Sequence, residues 1–134
     1  MYEFIKNNVE SSDKIFLDAP NRNPLTFNEL HQKLENIRNY FDNLSINRSD
    51  PVAIVLPNGP DLGFLFIACS CFAISAPLNP NYSKNEFKFY LSDLKAKFLI
   101  VDPDLKTEAS KAAFELGIKI INFSFEQNIG SLKL

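Results

Sequence analysis

Glycine, cysteine and histidine are all scarce in this 134-residue chain, and their scarcity excludes several kinds of site. No G-x-G-x-x-G motif occurs, and no glycine-rich loop ends in Gly-Lys. A dinucleotide site or a P-loop phosphate site depends on one of these two patterns. The sequence therefore encodes no local nucleotide-binding motif of either type. The glycines are Gly59, Gly63, Gly117 and Gly130.

The two cysteines and the single histidine do not form a recognisable reactive group. Cys69 and Cys71 point to different faces of a predicted helix, and no second Cys or His pair stands near them to complete a metal site. We interpret both as buried free thiols of a reducing compartment. His31 has no Ser or Cys near it in sequence to suggest a catalytic triad, so we expect a surface residue.

Charge of one sign is also missing. The chain has 14 basic and 16 acidic residues, a formal net charge of -2, and the basic residues are scattered. This excludes the electrostatic footprint of a nucleic-acid or anionic-membrane binder, so small molecules or proteins are the expected partners. With 46% hydrophobic and 22% charged residues, the sequence predicts one folded domain over residues 1–134.

One long uncharged run raises the question of a membrane span. It extends from Leu62 to Leu78, which is shorter than the ~20 residues that a span needs, and polar or helix-breaking residues interrupt it. The run is typical of a buried core helix. Charged residues within positions 1–20 argue against a secretory signal, and Leu132 departs from the small residue that begins a peroxisomal Ser-Lys-Leu signal. We expect a cytoplasmic protein.

The N-terminal part of the sequence predicts two small elements. Residues Met1 to Val9 form a short amphipathic helix, because Tyr2, Ile5 and Val9 recur at helical spacing. Residues 14–18 and 24–27 then flank a polar turn, which indicates a hairpin.

A long helix follows the hairpin, and the sequence marks its start. Thr26 and Glu29 have the spacing of a capping box, and Leu25 and Leu30 stand where a hydrophobic staple needs them. The helix is predicted to end near Leu44. Its apolar stripe follows steps of three and four: Phe27, Leu30, Leu34, Ile37, Phe41 and Leu44.

From position 51 onward, apolar strands alternate with helices. This order predicts βαβ crossovers and a mostly parallel sheet, so the fold class is α/β. Gly117 stands at the C-terminal stop of the last helix. The predicted elements are a strand over Val52–Leu56, a turn over Pro57–Pro60, a helix over Asp61–Ser75, a strand over Ala76–Leu78, a helix capped by Ser83 and Glu86, a strand over Phe98–Val101, a helix over Leu105–Leu116 and a strand over Ile118–Phe123.

A few polar residues follow the predicted strands, where α/β proteins often place functional groups. Gly59 lies between a strand and a helix, but the flanking prolines remove backbone donors, which favours a structural turn over an anion site. Asp102 and Asp104 are interpreted first as caps of the next helix and only second as functional carboxylates. Asn81 and Tyr82 have no partner that the sequence identifies. We therefore assign no catalytic, cofactor-binding or metal-binding residue.

Three segments in a fixed order carry a family resemblance. They are LTFNELHQKLENI at Leu25–Ile37, PVAIVLPNGPDLGFLFIACSCFAISAPLNPNY at Pro51–Tyr82 and EFKFYLSDLKAKFLIV at Glu86–Val101. Together they resemble the N-terminal part of an AMP-forming acyl-CoA synthetase, most of all the 4-coumarate-CoA ligase-like and oxalate-CoA ligase-like branch. Amino-acid-activating adenylation domains usually have Asp at the position of Asn79, before Pro80.

The resemblance implies a two-step reaction in a complete family member. ATP and a carboxylic acid give an acyl-adenylate and pyrophosphate, and the coenzyme A thiol then displaces AMP. The implied cofactors are ATP, Mg²⁺ and coenzyme A, and the implied fold is the larger N-terminal domain. The family's phosphate loop ends in Pro-Lys-Gly, which this sequence lacks, and its catalytic lysine lies in a C-terminal domain beyond the matching segments.

We therefore expect an N-terminal scaffold that binds none of these cofactors and is inactive alone, whether as a truncated product or as a piece cut before the phosphate loop. Its many Phe side chains should leave apolar surface exposed, so the expected partner is the remainder of the synthetase or a second copy. Two alternatives stay open. In the first, the chain is a stand-alone protein-binding module or a subunit of a split synthetase. In the second, it is a small acyl-ligand binder.

Overall fold

The computed structural model describes residues 1–8, 13–130 and 132–133, and they form a layered α/β structure. Val9, the end of the first predicted helix, lies outside the described residues. The elements in chain order are α1 (Tyr2–Asn8), β1 (Ile15–Leu17), β2 (Leu25–Thr26), α2 (Phe27–Asn43), β3 (Pro51–Val55), α3 (Pro60–Phe72), β4 (Ile74–Pro77), α4 (Lys84–Asp93), β5 (Phe98–Val101), α5 (Ala109–Glu115), β6 (Lys119–Asn122), β7 (Ser124–Phe125) and β8 (Leu132–Lys133).

The centre of the fold is a four-stranded parallel sheet with the strand order β4-β3-β5-β6. Strand β3 pairs in parallel with β4 on one side and with β5 on the other, and β5 pairs with β6. Each connection between these strands runs through a helix, which is the βαβ arrangement. The prediction of an α/β fold with a mostly parallel sheet is confirmed.

The two faces of the sheet form separate cores because side chains alternate along each strand. On one face, Val52 and Ile54 of β3 pack in a cluster with α2 and α3. On the other face, Ala53 and Val55 pack in a cluster with α4 and α5. Strand β3 therefore reads as an uninterrupted apolar run, since both of its faces are buried.

Local capping fixes the start of two helices. The Thr26 hydroxyl accepts a hydrogen bond from the Glu29 amide, and the Glu29 carboxylate accepts one from the Thr26 amide at 2.9 Å. Ser83 and Glu86 make the same reciprocal pair at the start of α4. These hydrogen bonds hold the pKa of both glutamates below its ordinary value. Both predicted capping boxes are confirmed.

Helix α3 ends earlier than the sequence predicted. It stops at Phe72 instead of Ser75, because Ala73 adopts an extended backbone and the Ile74 amide donates to the carbonyl of Asp50 at 3.0 Å. The following strand accordingly begins at Ile74 and not at Ala76.

Helix α5 begins later than predicted, at Ala109 instead of Leu105. The Leu105 amide donates a hydrogen bond to the carbonyl of Asp102 at 3.1 Å. This turn keeps the residues before Ala109 out of the helix. Gly117 follows the helix with φ +67°, in the left-handed conformation expected at its C-terminal stop.

The segment after β6 was not predicted. Ile129 is fully buried in the core shared by α2 and α3. Gly130 has φ +75°, and a Cβ atom at this position would lie 3.0 Å from Lys33 Cδ and 3.2 Å from Phe64 Cδ2. The positive φ favours glycine at this position, and a side chain would also crowd Lys33 and Phe64. The segment therefore passes close over α2 and α3.

Candidate functional site

The carboxyl edge of the parallel sheet is the expected position of a ligand-binding site, because α/β proteins bind ligands there. The chain leaves β3 toward the face covered by α3, and it leaves the neighbouring β5 toward the face covered by α5. Strands β3 and β5 thus mark the point where the connections change sides. The loops after these strands and after β4 hold the polar residues that the sequence singled out.

A cleft of about 450 Å³ opens at this edge, between the loop after β4 and the segment that leads into α5. The Thr107 hydroxyl donates to the carbonyl of Pro80 at 3.1 Å and so joins the two sides. Lys111 is paired with Glu108 at 2.8 Å, which leaves Lys106 as the unpaired cation among the described lining residues. The lining residues are Pro80, Asn81, Tyr82, Lys106, Thr107, Glu108 and Lys111.

Tyr82 contributes an aromatic ring to the lining of the cleft. The ring of Tyr82 stacks on that of Tyr90 with centroids 4.9 Å apart and meets the ring of Phe87 edge-on. A side-chain hydrogen bond with Tyr90 raises the pKa of Tyr82 above its ordinary value. Tyr82 therefore offers a neutral phenol and a flat ring, which suit contact with a ligand better than nucleophilic attack.

The two aspartates after β5 make local turns. The Asp102 carboxylate accepts a hydrogen bond from the Asp104 amide at 2.9 Å. Neither aspartate caps α5. The Thr107 hydroxyl accepts the Ala109 amide at 3.3 Å instead, so the capping prediction was wrong. Because α5 starts at Ala109, both carboxylates lie too far ahead of its first amides.

The remaining singled-out residues are dispersed. Gly59 immediately precedes α3, with Pro60 as the first helical residue. The Asn81 amide donates to the side chain of Asn79 at 2.9 Å in a local turn. His31 is half-buried, with its ring centroid 6.3 Å from that of Tyr2.

The cysteines are buried free thiols, as predicted. Burial raises the pKa of the Cys69 thiol and, to a smaller extent, that of Cys71. Within residues 1–8, 13–130 and 132–133, no three His, Cys, Asp or Glu residues come together to hold a metal ion. The same residues include no helix that is long and apolar enough to cross a membrane.

A polar network that the sequence did not indicate joins three distant segments. The Arg22 guanidinium binds both carboxylate oxygens of Asp61 at 2.7 and 3.0 Å, and its Nε donates to the carbonyl of Gln127 at 3.1 Å. The Gln127 side chain in turn donates to the carbonyl of Asn21 at 2.6 Å. The network ties the hairpin turn and the C-terminal segment to the start of α3.

Replacement of Asp61 by Asn should lower the free energy of unfolding by about 1 kcal/mol, because it removes the charge from a bidentate, partly exposed ion pair. Thermal unfolding at low and at high salt measures the effect, and the difference between the two proteins should shrink at high salt. Asp93→Asn, at the end of α4, is the control. Equal destabilisation by both substitutions would contradict the assigned role of Asp61.

Solved structures of other proteins share the fold of this chain. Apo MatB from Rhodopseudomonas palustris has a TM-score of 0.76 and 17% identity, covering 89% of this chain and 24% of that chain. The same protein has been solved with ATP bound. The o-succinylbenzoate CoA synthetase MenE from Bacillus subtilis has a TM-score of 0.74 and 19% identity, covering 98% of this chain and 34% of that chain.

Curated relatives are similar in sequence over most of this chain. Oxalate--CoA ligase of Saccharomyces cerevisiae is 32% identical over an alignment of 127 residues, and the match covers 86% of this chain and 23% of the relative. The probable CoA ligase CCL9 of Humulus lupulus is 33% identical over 113 residues, with 81% and 22% covered. The chain thus spans about a quarter of the length of the relatives it matches.

The family model described as AMP-binding enzyme matches residues 4–128, which include the central sheet and all of its crossover helices. The match spans the three segments that carried the resemblance and confirms it. This chain belongs to the AMP-binding enzyme family.

Proposed function

We propose that this chain supplies the N-terminal scaffold of an AMP-forming acyl-CoA ligase. The observation that carries the proposal is the 32% identity with an oxalate--CoA ligase over 86% of this chain, which corresponds to 23% of the relative. The complete enzyme would join a carboxylic acid to coenzyme A and release AMP and pyrophosphate, with ATP and Mg²⁺ as cofactors. A cytoplasmic location belongs to the same proposal.

Chemistry within the described residues supports a scaffold role. The cleft at the carboxyl edge offers two lysines, a threonine hydroxyl and a tyrosine ring, and its carboxylate, Glu108, is occupied by Lys111. The cleft therefore lacks an activated nucleophile and a free general base. We propose that the chain alone does not form an adenylate.

The relatives' names guide the choice of acid. Two of the similar curated proteins, from Saccharomyces cerevisiae and Arabidopsis thaliana, are named oxalate--CoA ligase, and both are 32% identical to this chain. Proteins from three Bacillus species named 2-succinylbenzoate--CoA ligase are 26 or 27% identical over a shorter segment. Oxalate is accordingly the first acid to test, and 2-succinylbenzoate is the second.

Pyrophosphate release tests the function. With ATP, Mg²⁺, coenzyme A and oxalate, the chain alone should give no release above a reaction without protein. Co-expression with the part of the yeast oxalate--CoA ligase outside the matched segment should give acid-dependent release. Release by the chain alone would overturn the scaffold proposal, and a purified but silent complex would overturn the assignment to a ligase.

The cleft favours a second candidate function, the binding of a small ligand by the chain itself. Its volume of about 450 Å³ is in the range of small-molecule sites. Calorimetry with ATP, oxalate and short acyl-CoAs measures such binding directly. Saturable heat that Lys106→Met abolishes would favour this candidate over a silent scaffold.

A further inference from the structure

A second cleft lies at the opposite edge of the sheet from the candidate site. It has a volume of about 280 Å³ and is formed by α1, the end of α2 and the end of α3. Asn47 and Arg48 in its lining come shortly before β3 begins, and Phe72 comes shortly before β4 begins. The cleft is therefore at the amino edge of the parallel sheet, and we call it the amino-edge cleft.

The floor of the amino-edge cleft is apolar. Tyr2 and Ile46 are 3% and 5% exposed, and Phe72 is half-buried. The ring centroids of Tyr2 and Phe72 are 5.2 Å apart, and the Tyr2 hydroxyl donates to the Glu35 carboxylate. Because the phenol hydrogen is already donated, the floor offers mainly ring and aliphatic surface to a ligand.

Arg48 is held at the rim of the cleft by a tight local turn. The Asn47 side chain accepts a hydrogen bond from the Ser49 amide at 3.0 Å, and the Asp50 amide donates to the Asn47 carbonyl at 3.0 Å. Arg48 is exposed, and among the described residues no hydrogen bond or ion pair holds its guanidinium. The turn therefore presents a free fork of N–H donors, which matches the two oxygens of a carboxylate.

The rest of the rim sets the charge that the cleft accepts. The Cζ atom of Arg38 lies 5.8 Å from the ring centroid of Tyr2. Nitrogens of Arg38 also lie 4.0 Å from carboxylate oxygens of Glu35 and Asp42. Glu3 adds a further carboxylate to the lining. Because Asp42 and Glu3 offset the charges of the two arginines, the rim suits one negative charge on a ligand better than two.

We propose that the amino-edge cleft binds a small organic monocarboxylate, whose apolar body rests on the floor and whose carboxylate is held by the Arg48 fork. A volume of about 280 Å³ is at the lower end for ligand sites, so the body is a single ring or a short branched chain. The ligand contacts α1, α2 and α3 together and so stabilises the fold by mass action. The inference does not depend on the proposed function, because the cleft discussed there lies at the other edge of the sheet.

Calorimetry of the whole chain with benzoate tests this site. Benzoate should give saturable heat, and benzamide should give none, because the neutral amide lacks the charge that the guanidinium binds. Acetate, which lacks the ring, should bind at least about tenfold more weakly. Arg48→Met should lower the association constant for benzoate at least about tenfold, and Arg48→Lys should lower it less, because the charge remains. Lys119→Met, which removes an exposed lysine of β6, is the matched control and should leave the constant unchanged.

The side-chain Nε–H resonance of Arg48 locates the bound acid independently. The chain has three arginines, Arg22, Arg38 and Arg48, so each resonance can be assigned by substitution. Benzoate should shift the Arg48 resonance along a curve that saturates with the calorimetric constant. The Arg22 resonance should stay in place, because its guanidinium is bound to Asp61. This measurement uses the unsubstituted chain, so its result does not depend on whether a variant folds.

The absence of saturable heat with benzoate would overturn the proposal, as would equal affinities of the Arg48→Met and Lys119→Met variants. Inorganic phosphate that binds as tightly as benzoate would mean that the apolar floor takes no part, and this would also overturn it. Heat that Lys106→Met abolishes and Arg48→Met retains would place the acid in the cleft at the carboxyl edge. The assignment to the amino-edge cleft would then be wrong.

Discussion

Replacement of Phe64 by alanine is expected to lower the free energy of unfolding by about 3–5 kcal/mol. Phe64 is fully buried on α3, in the core that α2 and α3 share with one face of the sheet. Its ring also lies under the close passage of the C-terminal segment, 3.2 Å from where a Cβ atom on Gly130 would stand. The smaller side chain leaves a cavity that three elements border, so the site cannot easily collapse. Urea unfolding followed by circular dichroism measures the change.

Phe114→Ala is the control for this prediction. Phe114 is 81% exposed, so the same change of residue type should alter the free energy of unfolding by no more than about 0.5 kcal/mol. A loss below about 1 kcal/mol for Phe64→Ala would mean that the core around α3 is loosely packed.

Local patterns were sufficient to predict the central sheet and its helices. Strand β5 was predicted with its observed bounds, Phe98–Val101, because both faces of this strand are buried and the sequence is apolar throughout. The capping boxes at Thr26 and Ser83 were predictable for a similar reason. Each depends on residues three positions apart, so the pattern that forms the cap is visible in the sequence.

Features that depend on distant residues were not predictable. The contact of Arg22 with Gln127 joins residues 105 positions apart, and the ion pair with Asp61 spans 39. The cleft exists because Thr107 meets Pro80 across 27 positions, and Lys106 and Lys111 carry no motif that marks them as its lining. The late start of α5 has a local cause instead, since the turn at Asp102 replaces the helical turn that the apolar spacing indicated.

Asp50, just before β3, is the buried charged residue of the described core, with a relative exposure of 2%. Its carboxylate accepts hydrogen bonds from the Asn47 amide at 2.9 Å and from Lys97 Nζ at 2.5 Å. The hydrogen bond from Lys97 is the main reason that the pKa of Asp50 lies below its usual 3.8, and the Asn47 amide adds to it. The pair connects the starts of β3 and β5, because Lys97 immediately precedes β5.

Asp50→Ala should lower the free energy of unfolding by about 1–3 kcal/mol near pH 7, because it removes the buried carboxylate that accepts hydrogen bonds from the Asn47 amide and from Lys97. Since folding depresses the pKa of Asp50, the stabilisation from its ionised form is complete above pH about 4 and is lost as the pH falls through the lower folded-state pKa. A second variant, Asp50→Asn, keeps the size of the side chain and removes its charge. The difference in the free energy of unfolding between this variant and the unsubstituted chain should therefore shrink as the pH falls from 6 to 2. Urea unfolding at each pH measures this difference in the free energy of unfolding.

Lys97→Met is the companion variant, which should raise the pKa of Asp50 and shift the loss of stability to higher pH. A difference that stays constant with pH would mean that the ionisation of Asp50 does not contribute to stability, and this would contradict the role assigned to its pair with Lys97.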